Sequence, residues 1–206
     1  MKRRRAVAVV AGLVAIALAS AVLRWRRNPS AYPYGLGFSL ALPRPFVTRP
    51  KLLEILAPES GERMLEVGAG TGYYSLHVAR RLEPGGALDV LDIQQEMLDQ
   101  TVRRAHESGI SNIVPVRGDA RELPYPDNCF DAAYLNFVLG EIPDGDAALR
   151  ELRRILKPGG RLVVGEAFTD PHMVRFGVLR TRAEAAGLGF ERRLGGSLGY
   201  YARFAT

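Results

Sequence analysis

Arg63-Met64-Leu65-Glu66-Val67-Gly68-Ala69-Gly70-Thr71-Gly72 is the stretch on which the fold turns. Its first half predicts a strand over Arg63–Val67, and its glycines predict a sharp turn into a helix over Tyr74–Arg81. Glycine lets backbone approach a ligand that a side chain would exclude, and the N-terminus of the following helix faces the same point. Outward from this turn the sequence alternates. It predicts strands at Ala87–Asp92, Ile113–Arg117 and Ala132–Leu135 and a helix at Glu96–Glu107. A helix at Ala147–Leu156 follows, stopped by Lys157-Pro158-Gly159-Gly160, and then a strand at Arg161–Glu166. A helix near Thr181–Ala186 and two weaker strands, around Phe190–Leu194 and Leu198–Phe204, complete the series. Alternating strands and helices imply a parallel α/β sheet. There is no internal repeat and no low-complexity tract.

A glycine-rich strand-to-helix turn is a weak signal alone, so the acids at the following strand ends carry the reading. Dinucleotide sites want glycines spaced as 68, 70 and 73, and residue 73 is Tyr, which weakens a nicotinamide-dependent oxidoreductase. The second strand ends at Asp92, 20 residues after Gly72, where a carboxylate can accept from both hydroxyls of a ribose. After the third strand, Asp119 could accept from an adenine amino group, and the small Ala120 leaves room for the ring. Either acid alone is more often a cap or a turn residue. In order on successive strand ends, they favour nucleoside binding.

With these residues together, the chain from about 50 to 206 resembles a class I S-adenosylmethionine-dependent methyltransferase, close to the quinone and sterol methyltransferases. The motifs are Glu66-Val67-Gly68-Ala69-Gly70-Thr71-Gly72, Asp92, Gly118-Asp119-Ala120, Leu123-Pro124-Tyr125-Pro126-Asp127-Asn128-Cys129-Phe130-Asp131 and Leu156-Lys157-Pro158-Gly159-Gly160-Arg161-Leu162. The resemblance implies a Rossmann-like, seven-stranded, mostly parallel sheet with an antiparallel last strand and helices on both faces. It implies S-adenosylmethionine as cofactor, held at Glu66, Gly68, Ala69, Gly70, Thr71, Gly72, Asp92, Asp119, Ala120 and the chain around Asn136, with Ile93 packed on the adenine. The signature of amino-group methyltransferases is missing, because Asn136 is followed by Phe137-Val138-Leu139. A non-catalytic binding module on the same scaffold is the other reading that the fold allows.

The net charge of +6 is concentrated at one end: residues 1–27 hold seven cations and no acid, which leaves 21 cations against 22 acids in the remainder. That distribution removes the main support for a nucleic-acid partner. The basic clusters bracket Ala6–Leu23, about 18 uncharged residues that are a transmembrane-helix candidate, with a cleaved signal peptide as rival. Arg24, Arg26 and Arg27, directly after the apolar run, would resist translocation. The expected organisation is a membrane anchor at 1–27, a linker or flap rich in Pro and aromatic residues at 28–50 with no regular helix, and a methyltransferase domain at 51–206 on the cytoplasmic side. The expected partners are a small or lipid-borne hydrophobic acceptor and, through residues 6–23, the membrane; nucleic acid is not expected, and the sequence is silent on oligomeric state.

Cys129 is the only cysteine, so intrachain disulfides and Cys-rich metal sites are impossible, no metal is expected, and its Asp-Asn-Cys-Phe-Asp setting reads as structural. The sulfonium methyl is already electrophilic, so the main task is alignment of an acceptor in a dry pocket. If the acceptor is a hydroxyl or an acidic carbon, a general base would help. The candidates are His172, Glu166 and Glu141, all near strand carboxyl ends, and the sequence does not choose among them. His77 and His106 fall on predicted helices and read as surface or packing residues.

Overall fold

The computed structural model describes residues 46–206 without a break, together with 29–35, Arg44 and the single positions 12, 17 and 20. Apart from positions 12, 17 and 20, the expected anchor at 6–23 lies outside the described residues, as do residues 28, 36–43 and 45 of the 28–50 segment. No helix among the described residues is long and apolar enough to cross a membrane.

Seven strands, β1 (Arg63–Val67), β2 (Ala87–Asp92), β3 (Ile113–Arg117), β4 (Phe130–Asn136), β5 (Leu156–Ala167), β6 (Gly189–Gly196) and β7 (Gly199–Ala205), form one sheet in the order β3-β2-β1-β4-β5-β7-β6. The pairs from β3 across to β5 are all parallel, and β7 pairs antiparallel with both β5 and β6. This is the Rossmann-like, mostly parallel arrangement that the resemblance implied. Among the described residues five helices cover the sheet: α1 (Arg49–Leu56), α2 (Ser75–Leu82), α3 (Gln95–Glu107), α4 (Gly145–Ile155) and α5 (Phe176–Ala185). Leu52, Ile55, Val78, Leu82 and Leu98 from α1–α3 pack on one face with Met64, Val90 and Tyr134. Leu149, Leu152, Leu179 and Ala183 from α4 and α5 pack on the other with Leu65, Val67, Leu135 and Val164. Both faces being covered explains why the central strands are nearly continuous hydrophobic runs.

Chain order reverses direction between β1 and β4. In open α/β sheets a crevice opens at the carboxyl ends of the two strands that flank such a reversal. Here those ends are Gly68 and Asn136–Val138.

Three boundaries correct the sequence reading, the first being that β5 begins at Leu156, read as the end of a helix, and not at Arg161. A regular helix was not expected before residue 51, yet α1 starts at Arg49 with Pro50 in its first turn, where a missing N–H costs nothing and the fixed φ is already helical. Helix α5 starts at Phe176 and not near Thr181; it buries only Leu179 and Ala183, so its sequence carries little helical periodicity.

Helix α1 is tied to the sheet by Arg161 of β5. The guanidinium is almost fully buried, donates to both carboxylate oxygens of Glu62 at 2.7 Å, and also donates to the carbonyls of Leu56 and Ala57. Replacing Arg161 by Met strands a carboxylate and two carbonyls, and is expected to cost about 2–4 kcal/mol in urea unfolding. A loss below about 0.5 kcal/mol would show that water replaces the guanidinium without penalty.

Candidate active site

The crevice at the switch point has two compartments. The first, of about 190 Å³, is lined by Leu91, Asp92, Ile93, Gly118, Asp119, Ala120 and Arg121 from the ends of β2 and β3, with Val67 and Gly68 from β1. The second, of about 410 Å³, is lined by Gly68, Ala69, Gly70 and Thr71, by Asn136, Phe137 and Val138, by Thr169, Asp170 and Pro171, and by Tyr32, Arg44, Tyr73 and Tyr74. Gly68, Asp92, Val138 and Glu141 border both, so the compartments meet at these four residues.

Gly68 has φ +71, and a Cβ there would stand 2.4 Å from a methyl of Val138. The turn after β1 and the turn after β4 therefore touch only because residue 68 has no side chain. Asp92 is 7% exposed, and its two oxygens accept from the backbone N–H groups of Gly70 (3.3 Å) and Gln94 (3.0 Å). Burial raises its pKa, and those N–H groups oppose the rise. The carboxylate is thus fixed in direction, with lone pairs left for ligand hydroxyls. Ile93 is 53% exposed beside it, a flat apolar surface on which a ring can rest. Asp119 is gripped by the Arg121 guanidinium fork at 2.7–3.1 Å, which lowers its pKa and keeps it an acceptor.

The larger compartment is aromatic on one side and polar at its base. The Arg44 guanidinium stands 5.2, 5.3 and 4.7 Å from the ring centres of Tyr73, Tyr74 and Phe137. Phe137 has φ 64, the left-handed region that a bulky residue occupies only when its surroundings hold it there. Asn136 and Thr71 line the base, and the Asn136 carboxamide and the Thr71 hydroxyl are buried without a hydrogen-bond partner. Unpaired buried groups of this kind cost free energy and suit a ligand that carries both donors and acceptors.

Of the residues expected to hold a cofactor, Gly68, Ala69, Gly70, Thr71, Asp92, Ile93, Asp119, Ala120 and Asn136 are brought together on these two walls. Glu66 and Gly72 are not on them. Glu66 lies beneath the turn, 2% exposed, and accepts from the Ser75 hydroxyl; burial pushes its carboxyl up to about 8, which the Ser75 and Tyr134 hydroxyls counter. It fastens β1 to α2. Gly72 packs between α2 and α3, where a Cβ would lie 3.0 Å from Leu76 of α2 and 3.1 Å from Thr101 of α3.

Among the three candidate bases, Glu141 borders both compartments, whereas His172 and Glu166 are buried behind the wall. Cys129 is half-buried against the core on the α4 side, and burial raises its thiol pKa, as suits a structural role. His77, on α2, has its pKa lowered by burial and by Arg49, Arg80 and Arg104.

Residues 40–178 match the ubiE/COQ5 methyltransferase family. The chain belongs to that family. A demethylmenaquinone methyltransferase of Listeria welshimeri is 35% identical over 114 residues, covering 55% of this chain and 48% of the relative. A ubiquinone/menaquinone biosynthesis C-methyltransferase of Cellvibrio japonicus is 40% identical over 121 residues, covering 58% and 48%. The chain spans about half the length of the curated relatives it matches. Among solved structures, an Aquifex aeolicus SAM-dependent methyltransferase superposes with TM-score 0.77 at 20% identity, over 84% of this chain and 98% of that one. The [4+2]-cyclase SpnF superposes with TM-score 0.64 at 31% identity, over 71% and 57%.

Within this ubiE/COQ5 chain, sequence reasoning missed Arg44 as a wall residue, whereas Tyr32 belongs to the aromatic segment read as a linker or flap. The Tyr32 backbone N–H donates to Glu141 (3.2 Å) and its carbonyl accepts from Gln94 Nε2 (2.9 Å), so the chain at Tyr32 is held against the crevice. The aromatic residues of 28–50 were the available signal.

Proposed function

We propose that the chain transfers a methyl group from S-adenosylmethionine to a ring carbon of a hydrophobic, membrane-borne quinol. The observation that carries this reading is the continuity of the two compartments: a nucleoside-shaped cleft with Asp92, Ile93 and Asp119 runs into an aromatic chamber at Gly68 and Val138. In this reading Asp92 accepts from the ribose hydroxyls, Ile93 and Ala120 bracket the adenine, and Asn136 and Thr71 meet the amino-acid end of the cofactor. The bound cofactor supplies an electrophilic methyl group. The protein's own contribution is orientation and exclusion of water by Tyr73, Tyr74, Phe137 and the segment around Tyr32. The names of the Listeria and Cellvibrio relatives support a quinone-type acceptor.

The proposal extends to organisation. The chain from Val47 and helix α1 onward forms the catalytic domain, the segment between it and residue 28 a flap over the chamber, and 1–27 an anchor that keeps the domain on the cytoplasmic face. An anchor raises the encounter rate with an acceptor dissolved in the bilayer. The test uses the full chain and a variant lacking residues 1–27, with radiolabelled S-adenosylmethionine and a prenylated naphthoquinol in vesicles. The full chain is expected to label the quinol at least about tenfold faster, while both proteins bind S-adenosylhomocysteine equally. Equal labelling would remove the membrane from substrate capture, and no labelling by either would remove the quinol.

A further inference from the structure

Around Glu141 the ends of β4 and β5 are brought unusually close. A Cβ on Gly140 would fall 1.9 Å from the carbonyl oxygen of His172, so the loop after β4 lies directly on the loop after β5. This contact sets Glu141 beside Asp170 and His172, with carboxylate and imidazole atoms of all three within 4.8 Å of one another. Glu166 of β5 is completely buried nearby; its Oε2 accepts from the Val174 N–H at 3.2 Å and its Oε1 has no hydrogen-bond partner.

The three carboxylates that line the aromatic chamber divide by their bonds. Asp92 borders both compartments as well, but each of its oxygens is already held by a backbone N–H group. Asp170 Oδ1 accepts from the His172 N–H at 2.7 Å, which turns it back into its own loop. Glu141 borders both compartments, at their junction, and its one backbone bond is to Tyr32.

We propose that Glu141 is the general base of the site, the group that takes the hydroxyl proton of the quinol. This rests on the methyltransferase reading above. Glu141 takes the hydroxyl proton, and the ring becomes a phenolate whose ortho carbon is nucleophilic. That carbon forms its bond to the methyl group as the methyl–sulfur bond breaks and the sulfide product leaves. The ring proton on the same carbon is then lost to water, and Glu141 returns its proton to the phenolate oxygen, so that one proton is released per methyl transferred. Burial, Asp170 and Asp92 push the Glu141 carboxyl up to about 8, against the Tyr32 N–H, and a base poised there suits a phenol better than an ordinary carboxylate does. The groups that face it are Asp170 and His172 from the loop after β5, Glu166 from β5 and Asp92 from the end of β2. Arg44 lines the aromatic chamber and Arg121 the nucleoside-side compartment.

The test compares the wild-type full chain with Glu141→Gln and Glu141→Asp, using a prenylated 1,4-naphthoquinol kept reduced with dithionite. Glu141→Gln is expected to lower kcat at pH 7.5 by about 10²–10³ while S-adenosylhomocysteine affinity stays within about threefold. Wild-type kcat rises with pH and levels off above an apparent pKa near that of Glu141. The Gln variant continues to rise as the acceptor ionises unaided, and Glu141→Asp recovers part of the loss. A second reading needs no turnover: 1-naphthol bound together with S-adenosylhomocysteine shows its anion absorbance at a lower pH in wild type than in Glu141→Gln. Unchanged kcat and an unchanged naphthol titration in the Gln variant would overturn the assignment. Loss of wild-type activity on chelation, restored by Mn²⁺, would overturn it in favour of a cation on the same three groups. Cofactor binding without any quinol turnover would sink the acceptor class, whereas absent cofactor binding would sink the methyltransferase reading itself.

Discussion

Replacing Asp92 by alanine is expected to weaken S-adenosylhomocysteine binding by at least about 100-fold and to leave the melting temperature within a few degrees of wild type. The carboxylate sits at the end of β2, outside the two apolar cores, with both oxygens directed by the N–H groups of Gly70 and Gln94. On the proposed reading, two charge-assisted hydrogen bonds to ribose hydroxyls are lost together. Stability changes little because the cost of burying a carboxylate disappears along with its two backbone bonds. Asp92→Asn keeps the shape and should fall between. The same geometry fixes a pH dependence: burial raises the Asp92 pKa, so binding is complete where the carboxylate is ionised and weakens as pH falls through that raised value. Near-wild-type affinity in Asp92→Ala, measured by calorimetry, would take this residue out of the site.

The second large effect is expected at Gly140. Alanine there would bring its Cβ to 1.9 Å from the His172 carbonyl oxygen and 2.8 Å from the carbonyl carbon. Both are backbone atoms, so no rotamer change relieves the clash, and the loops after β4 and β5 must part. A loss of about 2–4 kcal/mol is expected, a drop of roughly 5–15 °C in melting temperature for a domain of this size. Turnover should fall further than the remaining folded fraction explains, because Glu141 moves away from Asp170 and His172. Gly177, near the start of α5, is the control: nothing lies within 4 Å of a Cβ added there, and Gly177→Ala should be neutral or stabilising by up to about 0.5–1 kcal/mol. Equal melting temperatures for Gly140→Ala and wild type would mean that the two loops are not in contact.

The parts of this fold that were legible in the sequence are those in which local pattern and tertiary position agree. Strands β1, β2 and β3 run over Arg63–Val67, Ala87–Asp92 and Ile113–Arg117, the ranges read from apolar runs bounded by turns. The first part of β5 was hidden, because Lys157-Pro158-Gly159-Gly160 reads as a helix stop although the chain is already in the sheet from Leu156. Helix α1 was hidden by Pro50, which marks a break anywhere except in a first turn.

The site shows the same division. Glycines and acids at strand ends are local signals, and nine of the eleven expected contact residues line the crevice. Glu66 belongs to the motif, but strand alternation turns its side chain to the Ser75 side, away from the crevice. What no local pattern could give is contact between distant segments. Tyr32 meets Glu141 across 109 positions of sequence, and the choice of Glu141 over His172 and Glu166 depends on which of them the folded wall leaves facing the chamber.

The central claim is that this crevice holds an adenosyl cofactor and not a dinucleotide. Calorimetric titration of the full chain with S-adenosylhomocysteine, and separately with NAD, tests it most directly. Saturable one-to-one binding of S-adenosylhomocysteine, lost in Asp92→Ala, with no heat from NAD, is the predicted result; saturable binding of NAD, or no binding of either ligand, would contradict it.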